Sequence, residues 1–260
     1  MSSLLILLFV LLGLFVGSFL NVCIDRLPQG QSIIRPPSHC ASCNRRLGIL
    51  ELIPLFSYLW LRGRCRYCQA PIPIRLPIVE GVTALIFALL YWKYGLEAQL
   101  GIVLVYTCIL IIIFVIDLEH QLVLNKVTYP SMIIAFGLSM LSPEIAEVTP
   151  LVGGTIGRLV SSVIGGAIGL AFMTLPLIIY RRGMGIGDIK LGALVGLMTG
   201  YPLVFVALLI SVIGGGLISV ILLAFKIRGR KDPIPFAPFM AASALVTILW
   251  GQTIWHWYLY

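Results

Sequence analysis

The chain has 260 residues, of which 60% are hydrophobic and 11% are charged, and its mean hydropathy is +1.06. About 25% of the residues in a soluble domain are charged, because its surface must face water. The composition therefore excludes a soluble globular protein, a disordered chain and a disulfide-stapled secreted module. It predicts an all-α integral membrane protein. The net charge of +8 would also suit a nucleic-acid partner, so the positions of the charges must decide between these interpretations.

Eight apolar runs follow one another along the chain, and each is a candidate membrane helix. A span needs about 20 mostly apolar residues. The first run lacks a basic N-terminal region and a clear small-residue cleavage site, so we expect a retained helix rather than a signal peptide. The fifth run is long and rich in glycine, and the sixth is too short to span by itself. The runs cover about residues 4–22, 76–94, 100–116, 127–141, 151–180, 189–200, 202–225 and 236–255.

Basic residues indicate the orientation of these spans, since Lys and Arg accumulate on the cytoplasmic side of a membrane. If the N-terminus is outside, all of the 18 basic residues except Lys93 and Arg158 fall on the cytoplasmic side. This split predicts eight spans, extracytoplasmic termini and a polar cytoplasmic loop over residues 24–75. The positive charge is then an orienting signal that can also contact anionic lipid, and no nucleic-acid partner is expected.

Four of the six cysteines form two Cys-x-x-Cys pairs in this loop. The spacing is typical of a four-thiolate zinc site, because both sulfurs of a pair can reach one ion. Disulfides are rare in the cytoplasm and the surrounding arginines favour thiolates, so structural zinc is favoured over disulfides or free thiols. The loop has little apolar material, so the metal would supply much of its folding energy. The predicted ligands are Cys40, Cys43, Cys65 and Cys68.

Three further residues of metal-ligating type are interpreted without a functional role. His39 adjoins the first cysteine pair and is expected to be a bystander rather than a fifth ligand. Cys23 and Cys108 lie in apolar runs, where a free cysteine behaves as a small buried hydrophobic residue.

Acidic residues in or beside apolar runs are candidates for function, because charge is costly inside a membrane. Asp117 ends the third run and Asp188 precedes the sixth, and the predicted topology places both at the cytoplasmic boundary. Two adjacent carboxylates share a proton, so one can take a proton from water while the other polarises a scissile carbonyl. Glu80, in the second run, is either a functional acid or an ion-pair partner of Arg75 or Lys190.

The glycines before Asp188 strengthen this hypothesis. A single acid at a helix end is usually an interfacial anchor or a salt-bridge partner, and the string Gly-x-Gly-Asp is short and common. Gly185 and Gly187, however, leave room beside the carboxylate, so the backbone of a substrate can approach there, near Lys190. A phosphate-binding loop is a poor alternative, because neither a Walker lysine nor a preceding strand is present.

Together these residues resemble the type IV prepilin peptidase family of GxGD membrane aspartic proteases, and the match covers most of the chain. Two small departures leave the carboxylates and thiolates untouched: Ala41 stands where proline is frequent, and Asn125 where aspartate is common. The matching segments are residues 17–22 followed by 26–28, 38–43, 53–68, 75–80, 117 with 124–125, and 185–191.

The resemblance implies a function that spans and spacing alone do not give. Such enzymes use two aspartates, here Asp117 and Asp188, to cut the basic leader from prepilins and pseudopilins at the cytoplasmic face of the bacterial inner membrane. Members with the cysteine domain often also methylate the new amino terminus with S-adenosylmethionine, and Glu80 is a candidate for binding that cofactor. The implied domains are a transmembrane helix over 1–23, a cytoplasmic zinc-binding domain over 24–75 and a transmembrane peptidase domain over 76–260.

Three alternatives stay open on the sequence. The first is a GxGD peptidase without methyltransferase activity, since the chain has no recognisable cofactor fingerprint. The second is a membrane transporter with paired acids as a proton relay, although no internal repeat is evident. The third is a zinc-stabilised assembly protein without catalysis, for which the aspartates would be dispensable. The sequence predicts neither the particular pilins that are cut nor an oligomeric state.

Overall fold

The computed structural model describes residues 3–142, 154–179, 185–226 and 235–259. Within these ranges the regular structure is helical, with a 3-10 turn at Ile49–Leu52, isolated β-bridges and no strand. The α-helices are α1 Ser3–Arg26, α2 Phe56–Trp60, α3 Arg75–Tyr94, α4 Ala98–His120, α5 Asn125–Ser139, α6 Gly154–Ile179, α7 Ile186–Thr199, α8 Leu203–Ala224 and α9 Ala237–Leu259.

Each predicted apolar run coincides with one of these helices, so the prediction of a helical membrane protein is confirmed. Among the described helices, six are long and apolar enough to cross a membrane, namely α1, α3, α4, α6, α8 and α9. The two others that match apolar runs, α5 and α7, have 15 and 14 residues. At 1.5 Å per residue α7 is about 21 Å long, which is shorter than a hydrocarbon core of roughly 30 Å. A count of eight spans therefore stays a prediction.

Some residues behind the sequence predictions lie outside the described ranges. They include the ends of the fifth apolar run, residues 151–153 and 180, and five of the basic residues that indicated the orientation, namely Arg181, Arg182, Arg228, Arg230 and Lys231. The distribution of charge is thus a property of the sequence, and the orientation of the chain in the membrane stays a prediction.

The chain divides into two compact units, Met1–Leu100 and Gly101–Tyr260. In the first unit α1 packs along α3. Two glycines of α1 allow this approach, because a Cβ atom at Gly13 would lie 2.6 Å from the Cα of Ala84, and one at Gly17 would lie 2.8 Å from the Cα of Glu80. Small residues at a helix interface let membrane helices approach closely.

The polar loop between α1 and α3, residues 27–74, has almost no hydrophobic core. Among its residues, all of which the structure describes, Pro54 and Cys65 alone are buried. Its regular structure is limited to the 3-10 turn, the five-residue helix α2 and two bridges, which pair His39 with Arg46 and Arg64 with Pro71. Main-chain turns, rather than apolar packing, therefore shape this loop.

In the second unit α7 is surrounded by protein, since it packs against α5, α6, α8 and α9. All of its residues from Leu191 to Gly196 are buried. Glycines form the contact with α6: a Cβ atom at Gly165 would lie 2.4 Å from the carbonyl oxygen of Gly196, and one at Gly169 would lie 2.1 Å from that of Gly192. A helix enclosed by other helices needs close contacts rather than a long lipid-facing surface, which explains why this run is short and rich in glycine.

Candidate functional site

The four predicted metal ligands come together in the first unit. The Sγ atoms of Cys40, Cys43, Cys65 and Cys68 all lie within 4.8 Å of one another, and those of Cys40 and Cys68 are 3.8 Å apart. A tetrahedral ion with Zn–S bonds of about 2.3 Å has sulfur–sulfur edges of about 3.8 Å. None of the six cysteines, all of which lie in the described ranges, forms a disulfide. The cluster could therefore hold one tetrahedral metal ion.

The two cysteine pairs have the same backbone conformation. The N–H of Cys40 donates to the carbonyl of Arg45 at 3.0 Å, and the N–H of Cys65 donates to the carbonyl of Ala70 at 2.8 Å. In both turns the fourth residue after the first cysteine is left-handed, with φ of 54° in one and 59° in the other. Because the turn is repeated, both pairs present their sulfurs in the same way.

The surroundings of Cys40 favour its thiolate, which is the form that binds a metal. At Cys68 the N–H of Ala70 lowers the pKa, but burial and the neighbouring cysteines outweigh it and raise that pKa to about 11. Backbone N–H groups of Cys43 and Ser42 interact with the sulfur of Cys40 and lower the pKa of that thiol to about 6. The guanidinium of Arg45 lies 3.8 Å from the ring centroid of Tyr67, so a cation–π contact joins the two pairs.

The residues that we set aside at the sequence level lie apart from these four sulfurs. His39 Nδ1 is 3.1 Å from the carbonyl oxygen of Pro37. Cys23 is buried in α1, and Cys108 lies in α4. Among the described residues, none of the three belongs to a cluster of metal-ligating groups.

Glu80 is buried in α3 and joins the polar loop to the helix pair of the first unit. Its Oε2 accepts a hydrogen bond from the N–H of Leu55 at 2.8 Å, and the hydroxyl of Ser18 also bonds to this carboxylate. Leu55 precedes α2 with φ of 58°, in the left-handed region, so the carboxylate fixes a strained turn. Arg75, one of the partners considered for Glu80, forms a salt bridge with Asp25.

Asp117 lies in the last turn of α4, within the second unit, and is 5% exposed. The backbone N–H of Ala237, the first residue of α9, bonds to its carboxylate. Its Oδ2 atom is buried and has no hydrogen-bond partner among the described residues. Because the partial positive charge of a helix N-terminus favours an anion, α9 can stabilise this carboxylate when it is ionised.

Asp188 lies in the first turn of α7, before the apolar run of that helix. Its own N–H donates to the carbonyl of Gly185 at 3.0 Å, and the N–H of Gly185 bonds back to its carboxylate. Burial and the negative charge of Asp117 raise the pKa of Asp188 to about 6. The fold therefore brings the two predicted catalytic aspartates, which are 71 positions apart in the chain, within electrostatic reach of each other.

The remaining residues predicted near a substrate also hold α7 in place. A Cβ atom at Gly187 would lie 2.7 Å from the Cβ of Val123, so this glycine permits close packing and the open space expected beside it is filled. Lys190 Nζ donates to Asn125 Oδ1 at 2.8 Å and lies 5.1 Å from the ring centroid of Tyr129. These contacts join the start of α7 to α5 and the segment before it.

Sequence reasoning missed the groups that fix the acids. The N–H of Ala237 and the N–H of Leu55 are backbone donors, and no side-chain pattern marks them. Val123 is an ordinary apolar residue in a short connection. Only the Gly-x-Gly-Asp string gave a signal, since the glycines one and three positions before Asp188 suggested a close approach.

These features define a class of protein. The chain is a multi-pass helical membrane protein that places two aspartates from different helices within electrostatic reach. That combination is typical of a membrane aspartic peptidase, in which paired carboxylates activate water.

Comparisons with known proteins identify the family. The model of the bacterial peptidase A24 N-terminal domain matches residues 11–94, and that of the type IV leader peptidase family matches residues 104–220. Similar proteins named prepilin leader peptidase/N-methyltransferase include one from Bacillus subtilis, 33% identical over 95% of this chain and 95% of the relative. Others come from Aeromonas hydrophila, at 32%, and Pseudomonas aeruginosa, at 31%, each over 96% of this chain and 92% of the relative. No solved structure matches the chain significantly.

The chain therefore belongs to the type IV leader peptidase family, and the resemblance seen in its motifs is confirmed. It is an integral membrane enzyme of the bacterial inner membrane, an aspartic-type endopeptidase that is also an N-methyltransferase.

Proposed function

We propose that this enzyme removes the leader from type IV prepilins and pseudopilins at the cytoplasmic boundary of the membrane, with Asp117 and Asp188 as the catalytic pair. The observation that carries the proposal is the electrostatic effect of Asp117 on Asp188, which lie at the ends of two different helices. A pilin is itself a membrane helix, so its cleavage site emerges where such helices end.

The chemistry follows from two carboxylates that share one proton. The ionised carboxylate takes a proton from water while the water oxygen forms a bond to the scissile carbonyl carbon, and the protonated carboxylate donates a hydrogen bond to the carbonyl oxygen. The carbon–nitrogen bond then breaks, and the leaving nitrogen receives a proton from the pair. The two acids titrate as a pair with shared macroscopic pKa values. No covalent intermediate is required, because the nucleophile of this step is water activated by the pair.

The start of α7 positions Asp188 for this role. The bond from the N–H of Gly185 orients the carboxylate, while the contacts of Gly187 and Lys190 hold the first turn of the helix against neighbouring segments. Among the described residues, a Cβ atom at Gly185 would meet nothing closer than the Asp188 carboxylate at 3.7 Å and the backbone nitrogen of Gly187 at 3.9 Å. We propose that this space lets a peptide backbone approach.

We further propose that the four cysteines bind zinc as a structural ion. The donor set fits, since four thiols lie within bonding distance of one centre and Cys40 favours its thiolate form. The ion would crosslink two turns in a loop that buries almost nothing, and no step of the peptide hydrolysis depends on it.

For the second activity we propose S-adenosylmethionine as the methyl donor. When bound, this donor would supply a methyl group to the amine that cleavage produces, with the carbon–sulfur bond pair left on sulfur and one proton lost from the amine. Residues that could recognise this donor are considered below.

The proposed topology has eight spans, in which α5 and α7 add to the six longer helices, and extracytoplasmic termini. The proposed division is a first transmembrane helix over 1–23, a cytoplasmic zinc domain over 24–75 and a peptidase domain over 76–260. Reporter fusions in each connection can test the orientation, and a cytoplasmic signal from either terminus would contradict it.

The function is tested with purified protein and a prepilin that carries a Gly-Phe junction, since the family resemblance predicts cleavage after a glycine and before phenylalanine. Mass spectrometry in the presence and absence of S-adenosylmethionine reads cleavage and methylation separately. We expect loss of the leader in both samples and a gain of one methyl group only with the cofactor. Cleavage without methylation would identify a peptidase with a single activity, and an intact prepilin would contradict the proposal.

A further inference from the structure

A cavity of about 610 Å³ lies within the first unit, between α1, the two cysteine turns, α2 and the start of α3. Cavities of about 300 to 1,000 Å³ are the usual size for sites that bury a small ligand. Peptide hydrolysis by the aspartate pair makes no use of it, since neither Asp117 nor Asp188 is among its lining residues.

Two side-chain oxygens in the wall of this cavity are buried without a partner. Asn21 is 3% exposed; its Nδ2 donates to the carbonyl of Leu76 at 3.0 Å, whereas its Oδ1 has no hydrogen bond. Glu51 uses Oε2 to accept the N–H of Gly48 at 2.7 Å, and its Oε1 is buried without a hydrogen bond. A buried acceptor without a donor is costly, so both atoms point to a ligand that brings donors.

The charge of the wall narrows the class of ligand. Three carboxylates line the cavity, those of Asp25, Glu51 and Glu80. These carboxylates would attract a ligand that has positive charge and N–H or O–H donors. The aromatic ring of Tyr58 and apolar side chains such as Ile72 line the same cavity and suit a flat heterocycle.

Arginines complete the wall. Arg26, Arg66 and Arg75 also line the cavity. The guanidinium of Arg26 donates to the carbonyl of Ser32 at 3.0 Å, and Arg75 forms a salt bridge with Asp25. With acids and arginines close together, the cavity can receive a group that carries both an ammonium and a carboxylate.

We infer that this cavity binds S-adenosylmethionine, an inference that rests on the methyl-transfer activity proposed above. This cofactor has a sulfonium, an ammonium, an adenine amino group and ribose hydroxyls, which match the acceptors of Asn21, Glu51 and Glu80. Its single carboxylate matches an arginine. A nucleoside triphosphate offers neither a sulfonium nor an ammonium to these acceptors, and two of the three arginines in the wall are already engaged, Arg26 by the carbonyl of Ser32 and Arg75 by Asp25, so ATP is disfavoured.

The test measures binding rather than turnover. The full-length chain, loaded with zinc and reconstituted in nanodiscs, is titrated calorimetrically with S-adenosylmethionine and with ATP. We expect the wild-type protein to bind the first and not the second. Glu51→Gln keeps an oxygen for the N–H of Gly48 but removes the charge, and it should weaken binding of S-adenosylmethionine about tenfold, as expected for loss of a charged hydrogen bond.

A second variant and a matched control keep the test decisive. Gln29→Trp places bulk at the exposed rim of the cavity without removing a buried partner, and it should abolish binding. Glu97→Gln removes an exposed acid of the same unit that does not line the cavity, and it should bind as the wild type does. Zinc content and melting temperature confirm that each variant is folded. Wild-type affinity in both Glu51→Gln and Gln29→Trp would overturn the inference.

The design also separates this inference from the proposed function. Asp188→Asn should lose cleavage and still bind S-adenosylmethionine with wild-type affinity. If the wild-type protein methylates a cleaved pilin while both cavity variants bind the cofactor normally, the cavity assignment alone is wrong. If the wild-type protein neither cleaves nor methylates a prepilin, the proposed function is wrong whatever the cavity binds.

Discussion

The cysteine cluster and the aspartate pair show two ways of building a polar site. The cysteines lie in a loop of 48 residues, 27–74, in which Pro54 and Cys65 alone are buried. The aspartates lie at the ends of α4 and α7, and each is fixed by a backbone N–H. α7 is packed on four sides by other helices.

Because of this difference, different forces hold the two sites together. Without a hydrophobic core the loop has little to offset its conformational entropy, so a metal ion has to contribute much of its folding energy. The aspartate pair needs no crosslink, because helix packing fixes its backbone. We therefore expect perturbations of one site to leave the other intact, and the predictions below test that independence from the largest effect to the smallest.

Removing either aspartate should have the largest effect. Asp117→Asn and Asp188→Asn each delete an acid–base group, for which we expect a loss of at least about 1,000-fold in the rate of leader cleavage. Zinc content and the folding of loop 27–74 should not change. Glu97→Gln, which removes an exposed acid just before the other end of α4, should cleave at the wild-type rate. Residual cleavage near wild type in either asparagine variant, measured by mass spectrometry, would disprove the catalytic pair.

Removing the metal should unfold the loop and leave the second unit folded. Cys43→Ser, or a strong chelator, should abolish the protection of amides in residues 27–74 from hydrogen exchange, because the loop buries so little apolar surface. Amides of α7 should exchange at their wild-type rates. Cys108→Ser, in α4, should leave loop protection unchanged. A loop that stays protected after complete zinc removal would show that it folds without the metal.

Closing the gap between α6 and α7 should destabilise the second unit alone. A Cβ atom at Gly196 would lie 2.1 Å from the carbonyl oxygen of Gly165, so Gly196→Ala should cost about 1–3 kcal/mol through overpacking. Gly214 in α8 has nothing within 4 Å of the same position, and Gly214→Ala should be neutral or stabilising by up to about 1 kcal/mol. Thermal unfolding of the two variants provides the measurement. Equal melting temperatures would contradict the close helix contact.

The pH dependence of stability should give the smallest effect. Burial and Asp117 raise the pKa of Asp188 to about 6 in the folded protein, against an ordinary value of 3.8. The folded state thus binds this proton more tightly than the unfolded state does. Between pH 4 and 6 stability should therefore fall as pH rises, and above pH 6 the ionised group should cost stability.

Asp188→Asn removes that cost. The variant should melt at a higher temperature than the wild-type protein at pH 7.5, and the difference should shrink as the pH falls and vanish well below pH 3.8, where the wild-type acid is protonated in both states. Glu97→Gln is the matched control and should show no such pH-dependent difference. A difference that persists at low pH would assign the effect to packing rather than to charge.

Much of this protein could be predicted from the order of its residues. Long apolar stretches gave the positions of the helices, because hydropathy is a local property that one segment displays by itself. The spacing of the two cysteine pairs predicted the cluster of four sulfurs, since ligands three positions apart converge in a short turn whatever surrounds them. The string Gly-x-Gly-Asp and the isolated Asp117 marked the acids, and the same motifs gave the family.

Tertiary structure alone decided how these parts meet. Packing between segments far apart in the chain decides three features. Asp117 acts on Asp188 and accepts from the N–H of Ala237, Glu80 accepts from the N–H of Leu55, and α7 is enclosed by helices. The cavity with its unpaired oxygens also depends on packing between distant segments. The physical reason is that helix propensity and ligand spacing act over a few residues, whereas the approach of two helices depends on the shapes of both surfaces, as at Gly165 and Gly196.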